Sequence, residues 1–376
     1  MKFTKILFLL TTVSFIGTTF SVAGPIPKAP NPKISSYVLM DYDSGMIIAS
    51  KNPDLMLPPA SITKIMTSYL AFTELKDKAI SMDDEVVISK KAWKMGGSKM
   101  FIEVGKKVKV SDLLKGVIVS SGNDASVALA EYISGDEETF VNYMNQTAQS
   151  MNLNNTNYAN STGLPDKQLY TTSRDIAILS RALIKDFPRY YKMYRQKEYI
   201  FNEIKQYSRN KLMHMDDSVD GIKTGFTKKA GYCLASSSKR GGRRLISVVL
   251  GAKNPGQRIQ VSKSLLEYGF RFFETHKVFK KDVEVHKARV YAGDETMLPV
   301  GFTEDYFISI PRRQYKNITK EFIIDKKLTA PVAKNDVVGF IAIKLKNKTL
   351  STAKLVALQD IKTGNMLRRT IDSFIK

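Results

Sequence analysis

Residues 57–73 read Leu57-Pro58-Pro59-Ala60-Ser61-Ile62-Thr63-Lys64-Ile65-Met66-Thr67-Ser68-Tyr69-Leu70-Ala71-Phe72-Thr73. The two prolines set a helix start, and Ile62, Ile65, Met66, Tyr69, Leu70 and Thr73 then recur at three- and four-residue spacing, which marks an amphipathic helix. Ser61 falls in its first turn. Lys64 follows three residues later, so the two side chains share a face. A serine needs a base to act as a nucleophile, and lysine serves if burial and the helix dipole lower its pKa. Backbone N–H groups at the same helix start can stabilise an oxyanion. The Ser-x-x-Lys spacing also occurs at Ser208, Ser236, Ser351 and Ser373, and context is what separates Ser61 from them. Histidine offers no rival base. His214, His276 and His286 are scattered, without a nucleophile-elbow sequence, and no His-x-x-x-His pair suggests zinc.

Toward the N-terminus, residues 37–42 and 46–50 are strand-like runs joined by the turn sequence Asp43-Ser44-Gly45, which predicts an opening hairpin. Toward the C-terminus, helical patterns cover residues 110–114, 124–133, 139–151 and 173–185. Strand-like runs then return at 232–236 and 245–250, separated by Lys239-Arg240-Gly241-Gly242, and a helix over 258–273 closes the segment. Strands at both ends with helices between them predict an α/β layer arrangement whose terminal strands share one sheet. Beyond about His276 the chain becomes short strand-like runs, at 283–291, 306–310, 321–324 and 337–345, which predicts a small separate β domain.

From Gly364 onward, Met366, Leu367, Thr370, Ile371, Phe374 and Ile375 lie on one helical face beside Arg368, Arg369 and Lys376. Such a helix either packs back on the β domain or lies in the plane of a membrane surface. Its basic flanks and terminal position favour the membrane. At the other end, Lys2 and Lys5 precede an apolar run over residues 6–20 and then Ser21-Val22-Ala23, the pattern of a cleaved secretory signal. The run is too short and too diluted by Thr and Ser for a membrane span. Residues 24–32 hold four prolines and read as an extended leader.

The chain has 376 residues, with 58 Lys plus Arg against 36 Asp plus Glu, for a net charge of +22. An apolar fraction of 43% with 22 Gly and 13 Pro excludes a disordered or collagen-like chain. The basic excess therefore sits on a folded surface that attracts anions. Removal of residues 1–23 leaves +20, of which residues 277–376 carry +9. For an exported protein the anionic partners are membrane lipid and wall polymer, not nucleic acid. Cys233, the only cysteine, lies in an apolar run and reads as a small buried side chain.

Two further sets complete the constellation. Ser121-Gly122-Asn123 precedes the helix at Asp124 and supplies a hydroxyl for proton relay and an amide for a peptide carbonyl; taken alone it reads as a helix cap. Lys223-Thr224-Gly225 supplies a cation and a hydroxyl for a carboxylate, and a glycine that lets substrate backbone approach. Each pattern recurs elsewhere, at Ser150, Ser208 and Lys362. The order carries the specificity: Ser121 lies sixty residues after Ser61, and Lys223 a further 102 residues on.

In that order the motifs resemble those of the low-molecular-mass penicillin-binding proteins, specifically the D-alanyl-D-alanine carboxypeptidases with a C-terminal β domain. The similarity extends to Val219-Asp220-Gly221-Ile222, to Arg244-Leu245-Ile246-Ser247-Val248-Val249, to the stretch from Trp93 to Phe101, and to Gly269-Phe270-Arg271-Phe272-Phe273-Glu274. It implies an α/β (α+β sandwich) catalytic domain over residues 33–276, with an antiparallel sheet between helices. It also implies an all-β domain over 277–363 and a membrane-associated helix over 364–376. The implied location is the periplasmic face of a bacterial cytoplasmic membrane.

The implied chemistry is a two-step acyl transfer in cell-wall maturation and shape control. Ser61 attacks the penultimate D-alanine carbonyl of a peptidoglycan stem peptide with Lys64 as base, and water then hydrolyses the acyl-enzyme. Ser121 relays the proton, Asn123 holds the substrate amide, and Lys223 with Thr224 binds the terminal carboxylate. Gly225 and Phe226 flank the substrate, and the N–H groups of Ser61 and Phe226 form the oxyanion hole. Arg258 matches a basic residue that contacts the carboxylate, and Ser98 lies in a loop bordering the site. β-Lactams are the implied covalent inhibitors, and no cofactor or metal is implied. Phe226 departs from the histidine frequent at that position, so a backbone donor remains while side-chain tuning is lost. A class A β-lactamase is disfavoured by the absence of a Glu-x-x-Leu-Asn loop. A cross-link endopeptidase and an idle wall- or membrane-binding scaffold stay as the alternatives.

Overall fold

The computed structural model describes residues 27–325 and 327–375. The expected signal segment and the first residues of the leader lie outside the described residues. Five antiparallel strands form the central sheet in the order Ile47–Lys51, Ser36–Asp41, Arg243–Ala252, Gly231–Arg240, Val219–Thr227. The opening hairpin thus pairs with a strand two hundred residues later, with Tyr37 opposite Val249 and Met40 opposite Ile246. Period-two alternation sorts the side chains between the faces. Val38, Met40, Ile246, Val248 and Leu250 enter the large core under the helical block. Tyr37, Leu39, Leu245 and Val249 enter a smaller core against the helix Pro255–Phe272. That helix starts three residues before the expected 258, at Pro255 after Asn254, whose side chain accepts from the Gln257 N–H at 2.8 Å and caps the first turn.

The segment after Pro58-Pro59 differs from expectation in two respects. Ala60–Thr63 form a 3-10 turn, so Ser61 precedes the α-helix Lys64–Lys76 instead of lying in its first turn. Nor does the helix sit at a surface with a polar face outward. Lys64, Ile65, Met66, Thr67, Ser68, Leu70, Ala71 and Phe72 are all buried, because it runs beneath the sheet and against the helices Asn123–Ser134 and Ser173–Asp186. Its apolar spacing was real, but tertiary packing closed over the polar side as well. The helices Val110–Lys115, Glu137–Ser150 and Ser173–Asp186 form where periodicity placed them.

The helix Pro255–Phe272 runs straight into the strand Phe273–Phe279, which pairs with Tyr306–Pro311. A second five-stranded sheet follows in the order His286–Arg289, Met297–Gly301, Lys348–Ala357, Val337–Leu345, Ile318–Ile324. Residues 283–291, read as one strand, contribute only His286–Arg289 to it. Tyr291 instead bridges to Thr329, and Ala292 turns away with φ 56°.

The two parts meet at a buried ion pair. Asp41 is fully buried, and Arg243 Nε donates to its carboxylate at 3.0 Å. Arg243 also donates through Nη1 to the carbonyls of Gly269, at 2.9 Å, and Phe273, at 2.7 Å, and through Nη2 to Ser309 Oγ at 3.3 Å. One guanidinium therefore ties the first strand, the closing helix and both strands of the Phe273–Phe279 pair. Removing one partner of a buried pair strands the other charge, at a cost of about 3–5 kcal/mol. Arg243→Met is expected to lower the denaturant midpoint by a corresponding amount in chemical unfolding, with the junction melting first. A midpoint within experimental scatter of the wild type contradicts this role.

Candidate active site

Ser61 is presented by strained backbone. Ala60, the residue before it, has φ 49°, and Ser121 across the cleft has φ 64°. Left-handed non-glycine residues cost of order 1–3 kcal/mol each and persist where surrounding structure over-determines them. Two glycines supply that surrounding structure. A Cβ on Gly163 would lie 1.9 Å from the Ala60 carbonyl oxygen, and one on Gly225 would lie 2.9 Å from the Pro59 oxygen and 3.1 Å from the Ser61 nitrogen. The turn carrying Ser61 is thus clamped between the 160–164 loop and the free edge of the strand Val219–Thr227.

Lys64 is completely buried behind it. Its Nζ donates to Asn123 Oδ1 and to the Thr162 carbonyl oxygen, each at 2.6 Å, and lies 3.3 Å from Ser61 Oγ. Burial lowers its pKa from 10.5 to about 7, against the opposing pull of Asp124 and with a smaller lowering from Arg209. A neutral amine has two N–H donors and one lone pair. Both donors are used by the short bonds, which leaves the lone pair for the Ser61 hydroxyl proton.

Asn123 is fixed from both ends: its Nδ2 donates to the Gly96 carbonyl at 2.6 Å, and its backbone N–H donates to the Ser98 carbonyl at 2.7 Å. Next to it, buried Asp124 accepts from the N–H groups of Met100, at 2.9 Å, and Phe101, at 2.9 Å, holding the 98–102 loop to the helix. Ser121 does not cap this helix; Gly122 stands at its N-cap and no side-chain cap bond forms.

A cleft of about 310 Å³ opens over these groups. Of the ten residues singled out in the sequence, Ser61, Ser98, Ser121, Thr224, Gly225, Phe226 and Arg258 line it. Lys64 and Asn123 lie buried beneath through the bonds just described. Lys223, 3% exposed, precedes Thr224 on the strand, and its Nζ makes only a long 3.5 Å contact to the Thr224 carbonyl. Its pKa is held well below 10.5 by burial and then by Lys64, Arg209 and Arg258. Arg258 donates from Nη1 to the carbonyls of Gly225 and Cys233, both at 3.2 Å, and lies over the Tyr232 ring. Phe226 is half exposed and stacks on Tyr232 with centroids 4.2 Å apart. Cys233 is buried, its thiol pushed up to about 11 by burial.

Sequence reasoning missed Arg209 and Tyr232, which line the cleft, and the Thr162 carbonyl. Asn160-Ser161-Thr162-Gly163 is recognisable as a turn sequence, but a backbone acceptor has no residue-type signature. Arg209 lies in a polar loop with nothing to set it apart.

A serine facing a buried lysine, with a cation-rich pocket beside it, defines a serine acyl-transfer hydrolase. A family model described as D-alanyl-D-alanine carboxypeptidase matches residues 25–254, and one described as the penicillin-binding protein 5 C-terminal domain matches residues 273–363. The chain belongs to the D-alanyl-D-alanine carboxypeptidase family. It is 41% identical over 366 residues to the D-alanyl-D-alanine carboxypeptidase DacC of Escherichia coli strain K12, covering 95% of this chain and 91% of that protein. It is 42% identical to DacA of Haemophilus influenzae, covering 95% and 93%. The crystal structure of penicillin binding protein 5 from Haemophilus influenzae superposes with a TM-score of 0.85 at 42% identity, covering 89% of this chain and 99% of that one.

The Lys64 environment has a direct kinetic consequence. Protonation below pH 7 fills the lone pair facing Ser61, so acylation of Ser61 by a β-lactam is expected to fall with an apparent pKa near 7 on the acid limb. Stopped-flow acylation rates between pH 5 and 9 measure it. A flat profile across that range rules out neutral Lys64 as the proton acceptor.

Proposed function

We propose that the protein removes the terminal D-alanine from peptidoglycan stem peptides through a Ser61 acyl-enzyme. The observation that carries this reading is the buried Lys64 amine, whose Nζ makes 2.6 Å bonds to Asn123 Oδ1 and the Thr162 carbonyl and lies 3.3 Å from Ser61 Oγ. In the first step Ser61 Oγ bonds to the penultimate D-alanine carbonyl carbon as its proton passes to Lys64. The C–N bond then breaks, and the proton reaches the leaving amine by way of Ser121. Water repeats the sequence on the ester, regenerating Ser61.

The N–H groups of Ser61 and Phe226 hold the developing oxyanion, each worth about 3 kcal/mol in comparable enzymes. Asn123 holds the acyl-side amide. Lys223, Thr224 and Arg258 receive the carboxylate of the departing residue, and Ser98 borders the acyl side. Gly225 leaves room for substrate backbone along the free strand edge, a strand-addition mode of binding. Among the described residues Lys223 has no carboxylate partner, which supports an anionic ligand there. Peptidoglycan is the substrate and β-lactams are the covalent inhibitors.

Full-length protein should become labelled by a fluorescent penicillin and release free D-alanine from a pentapeptide ending in D-Ala-D-Ala. Ser61→Ala should lose both, by at least a thousandfold in turnover. Equal labelling of the variant would place the nucleophile elsewhere. Product analysis on whole peptidoglycan separates exopeptidase from cross-link cleavage.

The exported location rests on the signal pattern of residues 1–23, and its membrane-surface part on the terminal helix Met366–Ile375. Its Asp372, 2% exposed, accepts from the Ala292 N–H at 2.7 Å and pairs with Arg368 at 3.2 Å. The helix therefore docks on the β-rich part by its acid, while Met366 and Phe374 are 84% and 86% exposed with Leu367 beside them. Packing back and facing a membrane are compatible in this geometry. Among the described residues no helix is long and apolar enough to cross a membrane. Binding of the full chain to anionic vesicles should weaken as ionic strength rises, and deletion of residues 364–376 should abolish it while leaving kcat/KM on a soluble peptide unchanged. Undiminished sedimentation with vesicles refutes the surface-helix assignment.

A further inference from the structure

The stacked pair Phe226 and Tyr232 has two sides. One lines the Ser61 cleft; the other lines a second groove of about 560 Å³ at the ends of the central strands. Beyond this pair the groove carries Lys228 and Lys229, in the turn after Val219–Thr227, and Lys253, just past Arg243–Ala252. No carboxylate lines it, and among the described residues none of the three lysines forms an ion pair. Three exposed ammonium groups around one concavity repel each other and attract an anion.

The partition is anchored. Arg258 reaches the carbonyls of Gly225 and Cys233 from one side and lies 5.5 Å over the Tyr232 ring. The strand edge that offers Gly225 to a substrate backbone continues into the turn bearing Lys228. At about 3.3 Å per residue, Lys228 lies some four residues, roughly 13 Å, along the strand from Thr224. A peptide laid along this edge at the scissile bond therefore has its more distant residues within reach of the lysines.

We propose that the second groove is a subsite for a carboxylate-bearing extension of the peptide substrate, and that Lys228, Lys229 and Lys253 set a preference for acidic over neutral stems. This rests on the acyl-transfer reading of Ser61 and names the substrate class that the site favours. The lysines act on binding at a distance from the bond broken, so the preference belongs in KM and not in kcat. Electrostatic attraction across a wet groove also weakens with salt.

The test uses full-length protein and two soluble peptides ending in D-Ala-D-Ala, identical except that the residue before these carries a free side-chain carboxylate or its amide. Wild type should favour the acid in kcat/KM by about fivefold to tenfold, the size expected for two or three exposed pairs acting together. The preference should shrink toward one at 0.5 M salt. The triple variant Lys228→Gln, Lys229→Gln, Lys253→Gln should treat both peptides alike while keeping its penicillin acylation rate, which reports an intact Ser61 site. No preference in wild type, or an unchanged preference in the variant, overturns the proposal. Loss of binding to whole wall polymer with the small-peptide preference intact also overturns it, assigning the lysines to polymer attachment. Failure of penicillin to label Ser61 in either protein would instead count against the acyl-transfer reading itself.

Discussion

A fully buried lysine amine with two short hydrogen bonds, and no carboxylate partner among the described residues, is the constraint on which the rest of this structure depends. Lowering its pKa from 10.5 to about 7 corresponds to on the order of 5 kcal/mol of lost preference for the charged form. The fold must bear that cost by keeping Lys64 enclosed. It does so by burying the first turns of the helix Lys64–Lys76 on all sides, so that Lys64, Ile65, Met66, Thr67 and Ser68 are all enclosed. The two acceptors, Asn123 Oδ1 and the Thr162 carbonyl, come from separate segments and satisfy the amine without neutralising a positive charge. Asp124 stands near enough to pull the pKa upward, but its oxygens are occupied by backbone N–H groups of the 100–102 loop. The acid is thereby committed to holding a loop and does not form an ion pair with the amine.

The strained residues follow from the same requirement. For Ser61 Oγ to stand 3.3 Å from a buried Nζ, the chain must turn sharply just ahead of the helix, and Ala60 takes the left-handed conformation to do so. The turn is held because Gly163 and Gly225 let two other segments approach its backbone more closely than any side chain would allow. Substituting either glycine would press directly on the peptide unit that presents Ser61. Strain at Ala60 and Ser121 is thus supported from outside, which fits the rule that such strain survives only where neighbours over-determine it.

How much of this was legible in the sequence depends on whether a feature lives in side-chain pattern or in backbone. The run 245–250 was legible as a strand, and the closing helix was legible from residue 258, three residues after its start at Pro255. The Ser61, Ser121 and Lys223 sets were legible through their order, and the structure brings them around one cleft. The 3-10 turn at Ala60–Thr63 was not, since its geometry is imposed by Gly163 from a hundred residues away. The burial of the polar side of the helix Lys64–Lys76 was also hidden: periodicity reports one apolar face and is silent on what covers the other. Arg209 and the Thr162 carbonyl escaped because an isolated loop arginine and a main-chain oxygen carry no pattern.

The net charge of +22 acquires a local meaning at the cleft. Lys223 and Arg258 are both driven below their ordinary ranges, first by burial and then, for Lys223, by Lys64, Arg209 and Arg258 around it. A cluster of mutually repelling cations with no acid among the cleft residues is under electrostatic load until an anion arrives. In the proposed reaction the anion comes with the substrate and sits beside the bond to be cut, because Thr224 and Gly225 join the cation cluster to the Ser61 turn within two residues of strand. A free carboxylate on the departing residue meets both conditions. An amide in its place leaves Lys223 and Arg258 desolvated and unpaired, a penalty far larger than the loss of one hydrogen bond in water. On the proposed reading, in which that carboxylate sits at Lys223 and Arg258, discrimination for a chain end over a chain interior comes from the desolvation of the pocket, before any contact with the rest of the peptide is counted.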